Sequence, residues 1–174
     1  KSPGKNPRLS PASTAGLVRI IFLTVRFFKA RTAKATAVYV FPVPAGPTAK
    51  TIDYAIAKGA DVINASYGAL STDQDFSQAE LAAIKRARDA GIVFVAAAGN
   101  DTLNLDISRA YPASFAVDNL IAVGNSTRLD DIATSSNFGS GAVELFAPGS
   151  EIVSTSNADP SSTRVLSGTS MAAP

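Results

Sequence analysis

Asp61–Ala97 reads DVINASYGALSTDQDFSQAELAAIKRARDAGIVFVAA, and this stretch decides the fold. Asp61–Ser66 (DVINAS) and Ile92–Ala97 (IVFVAA) are short apolar runs, the second of them continuous, as in strands covered on both faces. Between them, Asp73 or Asp75 can cap a helix that runs to about Ala90 and stops at Gly91. Ala79, Ala83, Ala87 and Ala90 form a small-residue stripe on that helix, flanked by Leu81 and Ile84. Strand, helix and strand at this spacing make a βαβ unit, with two parallel strands and a right-handed crossover.

Upstream, Thr51–Lys58 (TIDYAIAK) places Ile52, Ala55 and Ile56 on one helical face and meets Gly59 as a stop. Downstream, Leu120–Val123, Val143–Phe146 and Glu151–Ser154 read as short strands between turns of Gly, Asn, Ser and Pro. The class is α/β with a mainly parallel sheet, in which ligands bind beyond the carboxyl ends of the strands. Ser66-Tyr67-Gly68 and Gly99-Asn100-Asp101 are the polar groups at two such ends. Neither strand–helix junction reads G-x-G-x-x-G, and no P-loop occurs, which argues against a nucleotide site.

The 174 residues suffice for one domain, and 46% apolar with 17% charged content makes it globular. With no Cys there is no disulfide framework, thiolate metal site or thiol nucleophile, and with no His there is no imidazole base. The net charge of +2 conceals an asymmetry: residues 1–50 hold nine basic and no acidic residues, residues 51–174 seven basic and 14 acidic. Six of the ten prolines also lie in the first fifty positions. Lys1–Ser13 has no periodicity and reads as loop or disorder. Leu17–Phe28 (LVRIIFLTVRFF) is too short for a membrane span and carries Arg19 and Arg26, so it is expected to be a buried strand. It matches a signal peptide poorly, and Ala30–Lys50 shows no helical or alternating pattern. The basic residues form no stripe and follow no nucleic-acid-binding module. Neither a nucleic acid nor a membrane is an expected partner.

Leu166–Pro174 (LSGTSMAAP) sets a Ser between small residues at the start of a helix-compatible segment. Gly168 allows close backbone approach, and free N–H groups at the helix start favour a developing oxyanion at Ser170. In isolation G-T-S is an ordinary helix cap, but its neighbours extend the pattern. SGTSMAAP resembles the nucleophile segment of the subtilisin-like serine proteases (peptidase S8). ADVINASYG is similar to their substrate-binding strand and VFVAAAGND to the segment with the oxyanion asparagine. YPASF with NLIAVG, then SSNFG with LFAPGSEIVST, follow in the family's order, so the resemblance runs from Thr51 to Pro174.

The resemblance implies a subtilisin-like three-layer fold, incomplete, as the carboxyl-terminal part of a truncated catalytic domain. It implies Ser170 as nucleophile, with the Asn100 side-chain amide and the Ser170 backbone N–H as oxyanion donors. Ser66, Tyr67 and Gly68 would pair by main chain with an extended polypeptide substrate. Ala97, Ala98 and Gly99 would wall the primary specificity pocket. The family's base is a His oriented by an Asp, both upstream of the matched region. Since this chain has no His, the expectation is a serine endopeptidase by family that is inactive alone. The alternative is a non-catalytic module that binds peptides in the same cleft. Members often bind structural calcium, but no tight-site loop is recognisable; only a weak site near Tyr111–Asp118 is conceivable, and no cofactor is expected. The family is mostly exported, and the sequence gives no localisation.

Residues 1–50 are therefore set apart as an atypical basic segment, disordered or translated out of frame, before a partial peptidase domain over 51–174. Val25-Arg26-Phe27 resembles a family strand, and Thr32–Val38 (TAKATAV) admits codons that, read two bases later, give Gly-Lys-Gly-Asp-Gly-Ser. The family often has a Gly- and Asp-rich loop at that place. The nucleotide sequence is expected to hold a family-like peptide in an alternative frame around codons 30–50; its absence there refutes the frame shift.

Overall fold

The structure is a computed structural model of the chain and describes residues 35–37, 46–70, 74–156 and 161–174. The expected loop at Lys1–Ser13 and strand at Leu17–Phe28 lie outside the described residues. In chain order the elements are β1 (Ala35–Ala37), α1 (Gly46–Ala57), β2 (Val62–Ala65), α2 (Gln74–Asp89) and β3 (Val93–Ala97). They are followed by β4 (Leu120–Ser126), β5 (Leu145–Pro148), β6 (Ile152–Thr155), β7 (Thr163–Leu166) and α3 (Thr169–Ala172).

Five strands, β1 to β5, form one sheet in chain order, every neighbouring pair parallel. β6 and β7 pair antiparallel as a separate hairpin. The two-residue period of the strands sends alternate side chains to opposite faces. Ile63, Ala65, Phe94, Ala96, Leu120 and Ala122 belong to the larger core, with Ile52 and Ala55 of α1 and Ala83, Ile84 and Ala87 of α2. Val95, Ala97, Ile121 and Val123 point the other way and meet Ala172 and Ala173. Helices thus cover both faces, which makes the three layers of an α/β domain. Phe94, Ile63 and Ile84 are wholly buried, each contributing about 1.5–3 kcal/mol.

Three local expectations need correction. α1 begins at Gly46, inside the stretch expected to have no helical pattern, because Pro47 fits a first turn where its missing N–H costs nothing. The buried face of α2 is Glu80, Ala83, Ile84 and Ala87, one residue displaced from the alanine stripe; Ala79 and Ala90 are exposed. The strand β7 is an addition to the expected elements, since Thr163-Arg164-Val165-Leu166 is exposed throughout and owes its place to pairing with β6. On the surface, Arg86 of α2 grips Asp53 of α1 with two bonds of 2.8 and 2.9 Å. Both side chains are about half exposed, so the pair is worth at most about 1 kcal/mol.

Glu80 is the exception in the core, a carboxyl with no solvent exposure. The Tyr67 hydroxyl donates to its Oε1 at 2.7 Å, and Oε2 has no partner among the described residues. Burial raises the Glu80 carboxyl from 4.5 to about 7, with the Tyr67 hydrogen bond pulling slightly back. Burial, then the neighbouring carboxylate, also drives the Tyr67 phenol well above its usual value. Between these two Glu80 values the unfolded chain releases a proton that the folded chain keeps. Stability therefore falls as pH rises through that window and levels off above about 7. A shift of this size is worth on the order of 3 kcal/mol. Urea melts at about pH 5 and about pH 8 should differ by that order, and Glu80→Gln should remove most of the difference. Equal stability of the native chain at both would show that Glu80 titrates normally.

Candidate active site

Parallel strands all end on the same side, and the register Ala65↔Ala96 sets Ser66–Gly68 alongside Ala97–Gly99 just beyond β2 and β3. α3 brings its first residues to the same place. It can come this close because the residues between it and the sheet are small: Ala172 and Ala173 lie on Ala97 and Val123. Gly168, at φ 148°, turns the chain into α3. A Cβ on Gly168 would stand 3.1 Å from Asn100 Oδ1, so glycine also leaves room for that side chain.

Two reciprocal pairs of hydrogen bonds join the strand ends to α3. The Thr169 N–H donates to Asn100 Oδ1 at 2.9 Å, and the Gly99 N–H donates back to Thr169 Oγ1 at 3.0 Å. The Ser66 hydroxyl donates to the Ser170 carbonyl at 2.9 Å, and the Ser170 hydroxyl donates to the Ser66 carbonyl at 3.1 Å. Ser66 is steadied from behind by Asn64, whose Nδ2 donates to Ser66 Oγ at 3.0 Å. Ser170, Asn100, Ser66 and Gly99 are thus brought together across about a hundred residues of chain.

Asn100 is exposed, and its carboxamide is oriented through Oδ1, leaving Nδ2 with no acceptor among the described residues. The Ser170 N–H, in the first turn of α3, has no intrahelical acceptor. Tyr67 is anchored by its hydroxyl on Glu80, and Gly68 is exposed, with its Cα beside the Tyr111 carbonyl. Among the described residues neither spends its main-chain groups on another segment. The side chains of Ala97 and Ala98 are 4% and 0% exposed and pack into the two cores on opposite faces. The main chain of Ala98 is also taken, its N–H by the Val123 carbonyl and its carbonyl by Asn137 Nδ2.

Thr169 escapes the sequence reading although it stands next to Ser170. A threonine before a serine carries no local signal of a bond to a residue seventy positions earlier. The other hidden participant is Asn137, buried against Gly99.

A cavity of about 330 Å³ overlaps the Tyr111–Asp118 region and is lined in part by Asp106, Arg109, Phe115, Val117 and Glu144. It does not fit a calcium ion. Asp106 Oδ1 already accepts the Gly141 N–H at 3.0 Å, Glu144 Oε2 accepts the Ala122 N–H, and Arg109 supplies a cation of its own. No cluster of three metal-ligating side chains occurs among the described residues. No helix among them is long and apolar enough to cross a membrane.

Comparison with known proteins bears on the family and the fold. The chain is 35% identical over 125 residues to subtilisin-like protease 2 of Plasmodium falciparum, covering 72% of this chain and 9% of that protein. Among solved structures, a cold-adapted subtilisin-like serine proteinase superposes with a TM-score of 0.60 at 30% identity, over 74% of this chain and 44% of that one. The PatG macrocyclase, solved in complex with a peptide, gives a TM-score of 0.60 at 28% identity, over 72% of this chain and 37% of that one. The chain therefore spans less than half the length of each. The Subtilase family model matches residues 30–174, reaching back beyond Thr51, where the sequence resemblance begins, to include β1 and all of α1. The chain belongs to the subtilase family of serine peptidases.

Proposed function

We propose that Ser170 is the nucleophile of a peptide-bond hydrolysis, that Asn100 Nδ2 and the Ser170 N–H receive the oxyanion, and that this chain alone is inactive. The observation that carries the reading is the Thr169 N–H bond to Asn100 Oδ1. By engaging the oxygen of the carboxamide, it turns the remaining donor toward the flank of Ser170. On this reading Asn100 Nδ2 and the Ser170 N–H are the two donors that stabilisation of a tetrahedral intermediate requires. Removal of such a side-chain donor costs about 10²–10³-fold in turnover, a figure known from subtilisin rather than from this chain. The substrate is a polypeptide in extended conformation. Its main chain pairs with Tyr67 and Gly68, whose own peptide groups are uncommitted among the described residues. PatG, a structural neighbour, was solved with a peptide.

Inactivity follows from proton chemistry. A serine hydroxyl attacks a carbonyl only when a base takes its proton. Here that proton is directed at the Ser66 carbonyl, which cannot accept it, and the chain contains no histidine. Loss of the base costs about a million-fold in subtilisin itself.

Incubation with a fluorophosphonate should leave the chain unlabelled. High concentrations of imidazole, a diffusible substitute for the side chain, should restore labelling at Ser170. Ser170→Ala should abolish that labelling and Asn100→Ala should slow it. Hydrolysis by the homogeneous chain without imidazole, lost in Ser170→Ala, would overturn the inactivity; imidazole-dependent label on another residue would overturn the assignment of Ser170. An extended peptide that binds while no label ever appears is the result expected of a purely peptide-binding module.

A further inference from the structure

Asn100 is held at its oxygen by Thr169, but its backbone belongs to a turn that must itself be fixed. Asn137, on a different segment and 0% exposed, does this with its side chain and its own N–H. Its Nδ2 donates to the Ala98 carbonyl at 2.9 Å. Its Oδ1 accepts the Asp101 N–H at 2.9 Å and the Leu103 N–H at 3.0 Å. Its own N–H donates to the Gly99 carbonyl at 2.9 Å. Four bonds from one residue thus span Ala98 to Leu103, with Asn100 at the centre.

The residue types on both sides match this arrangement. One planar group must give a proton to Ala98 and accept two from Asp101 and Leu103, which a carboxamide does and an ionised carboxylate does not. The other side of the contact is Gly99, at φ 104°, where any Cβ would overlap Asn137 Nδ2. Asn137 is in turn tied to the sheet: the Ser136 hydroxyl donates to the Asn137 carbonyl and accepts the Asn125 N–H from β4, both at 2.9 Å. A rigid path of hydrogen bonds runs from β4 through Ser136 and Asn137 to the turn that carries Asn100.

We propose that Asn137 is a positioning residue that sets where the Asn100 carboxamide stands beside Gly168 and Thr169. This rests on Asn100 being the oxyanion donor for its use, but the coupling between the two asparagines is a separate physical fact and is tested separately. Asn137 touches no substrate and acts only through the turn.

The test uses the full chain labelled with ¹⁵N, read by the Asn100 side-chain amide resonances and by hydrogen exchange at Asp101, Leu103 and Thr169. In Asn137→Ala, exchange at Asp101 and Leu103 should accelerate at least about tenfold, Thr169 should follow, and the Asn100 resonances should move. Exchange in β3 and β4 should stay within about twofold of the native chain. Asn137→Asp provides the conservative rescue and the decisive result if the alanine variant does not fold. When protonated, the introduced carboxyl can still donate to Ala98 and accept from Asp101 and Leu103; when ionised it repels the Ala98 carbonyl. In that variant Asn100 should therefore show native resonances at low pH and depart from them as the introduced carboxyl ionises, the departure being read as the difference from the native chain at the same pH, which subtracts the effect of the neighbouring Asp101. Asn100 signals and Thr169 exchange unmoved in Asn137→Ala, or no rescue in Asn137→Asp, would overturn the proposal. So would a proportional loss of protection in β3 and β4, which would reduce Asn137 to general structural support. Failure of Ser170 to label would instead remove the use of Asn100 and leave this coupling standing.

Discussion

The exchange of hydrogen bonds between Gly99-Asn100 and Thr169 is the constraint on which the rest depends. It fastens the end of a buried strand to the start of a four-residue helix that has almost no stability of its own. So short a helix cannot hold its register by internal bonds. It is placed by what it touches: Thr169 against the strand end, Ala172 and Ala173 against the sheet. The N–H and hydroxyl of Ser170 inherit their position from those neighbours. Each pair is also partly shielded from water, where a neutral hydrogen bond typically contributes about 1 kcal/mol and an unmade one costs more.

That fastening requires small residues in a particular order. β3 and the residues after it read Ala96-Ala97-Ala98-Gly99, and every one of these positions is crowded. Ala96 and Ala98 face the helices α1 and α2, Ala97 faces α3, and Gly99 lies against Asn137. Larger side chains would push α3 or Asn137 away and separate Thr169 from Asn100. The parallel sheet contributes the other half of the geometry. Because β2 and β3 run the same way and pair in register, their ends supply Ser66 and Asn100 to one side of the molecule without any long loop to place them.

Much of this is legible in the sequence, and the parts that are not have physical reasons. DVINAS and IVFVAA announce β2 and β3 to within a residue, because each is a short apolar run whose Ile63 and Ala65, or Phe94 and Ala96, enter the core. Ser170 and Asn100 can be named because the strings around them resemble a known family. The alanine stripe on α2 points one position away from the true buried face. Alanine occurs on two adjacent faces of that helix, and the buried face includes Glu80, a residue whose charge argues for solvent. Nothing local marks Glu80 as interior; only Tyr67, thirteen residues earlier, completes it. Asn137 lies within SSNFG with no role of its own to read there, since its partners lie 34 to 39 residues away along the chain. The exposed strand β7 leaves no alternating pattern to read, since Val165 and Leu166 are adjacent and both exposed.

The same geometry separates two tasks that an active serine peptidase performs together. The Ser170 hydroxyl, the Asn100 carboxamide and the strand end at Ser66, to which the proposal gives the first of these tasks, are positioned by β2, β3, α3 and the turn at Asn137 through main-chain and neutral side-chain bonds. No ionisable group takes part in the contacts that Ser66, Gly99, Asn100, Thr169 and Ser170 make with one another. These contacts should therefore hold across a wide range of pH, whereas the Tyr67 side chain is anchored on Glu80, which titrates near 7. Activation of the hydroxyl is a different matter, because it needs a group whose charge changes during the reaction. The mutual bonds of Ser66 and Ser170 show what the hydroxyl does without one: it satisfies itself on the Ser66 carbonyl at the end of β2. On the proposed reading, a base acting here would have to win that proton away from the Ser66 carbonyl.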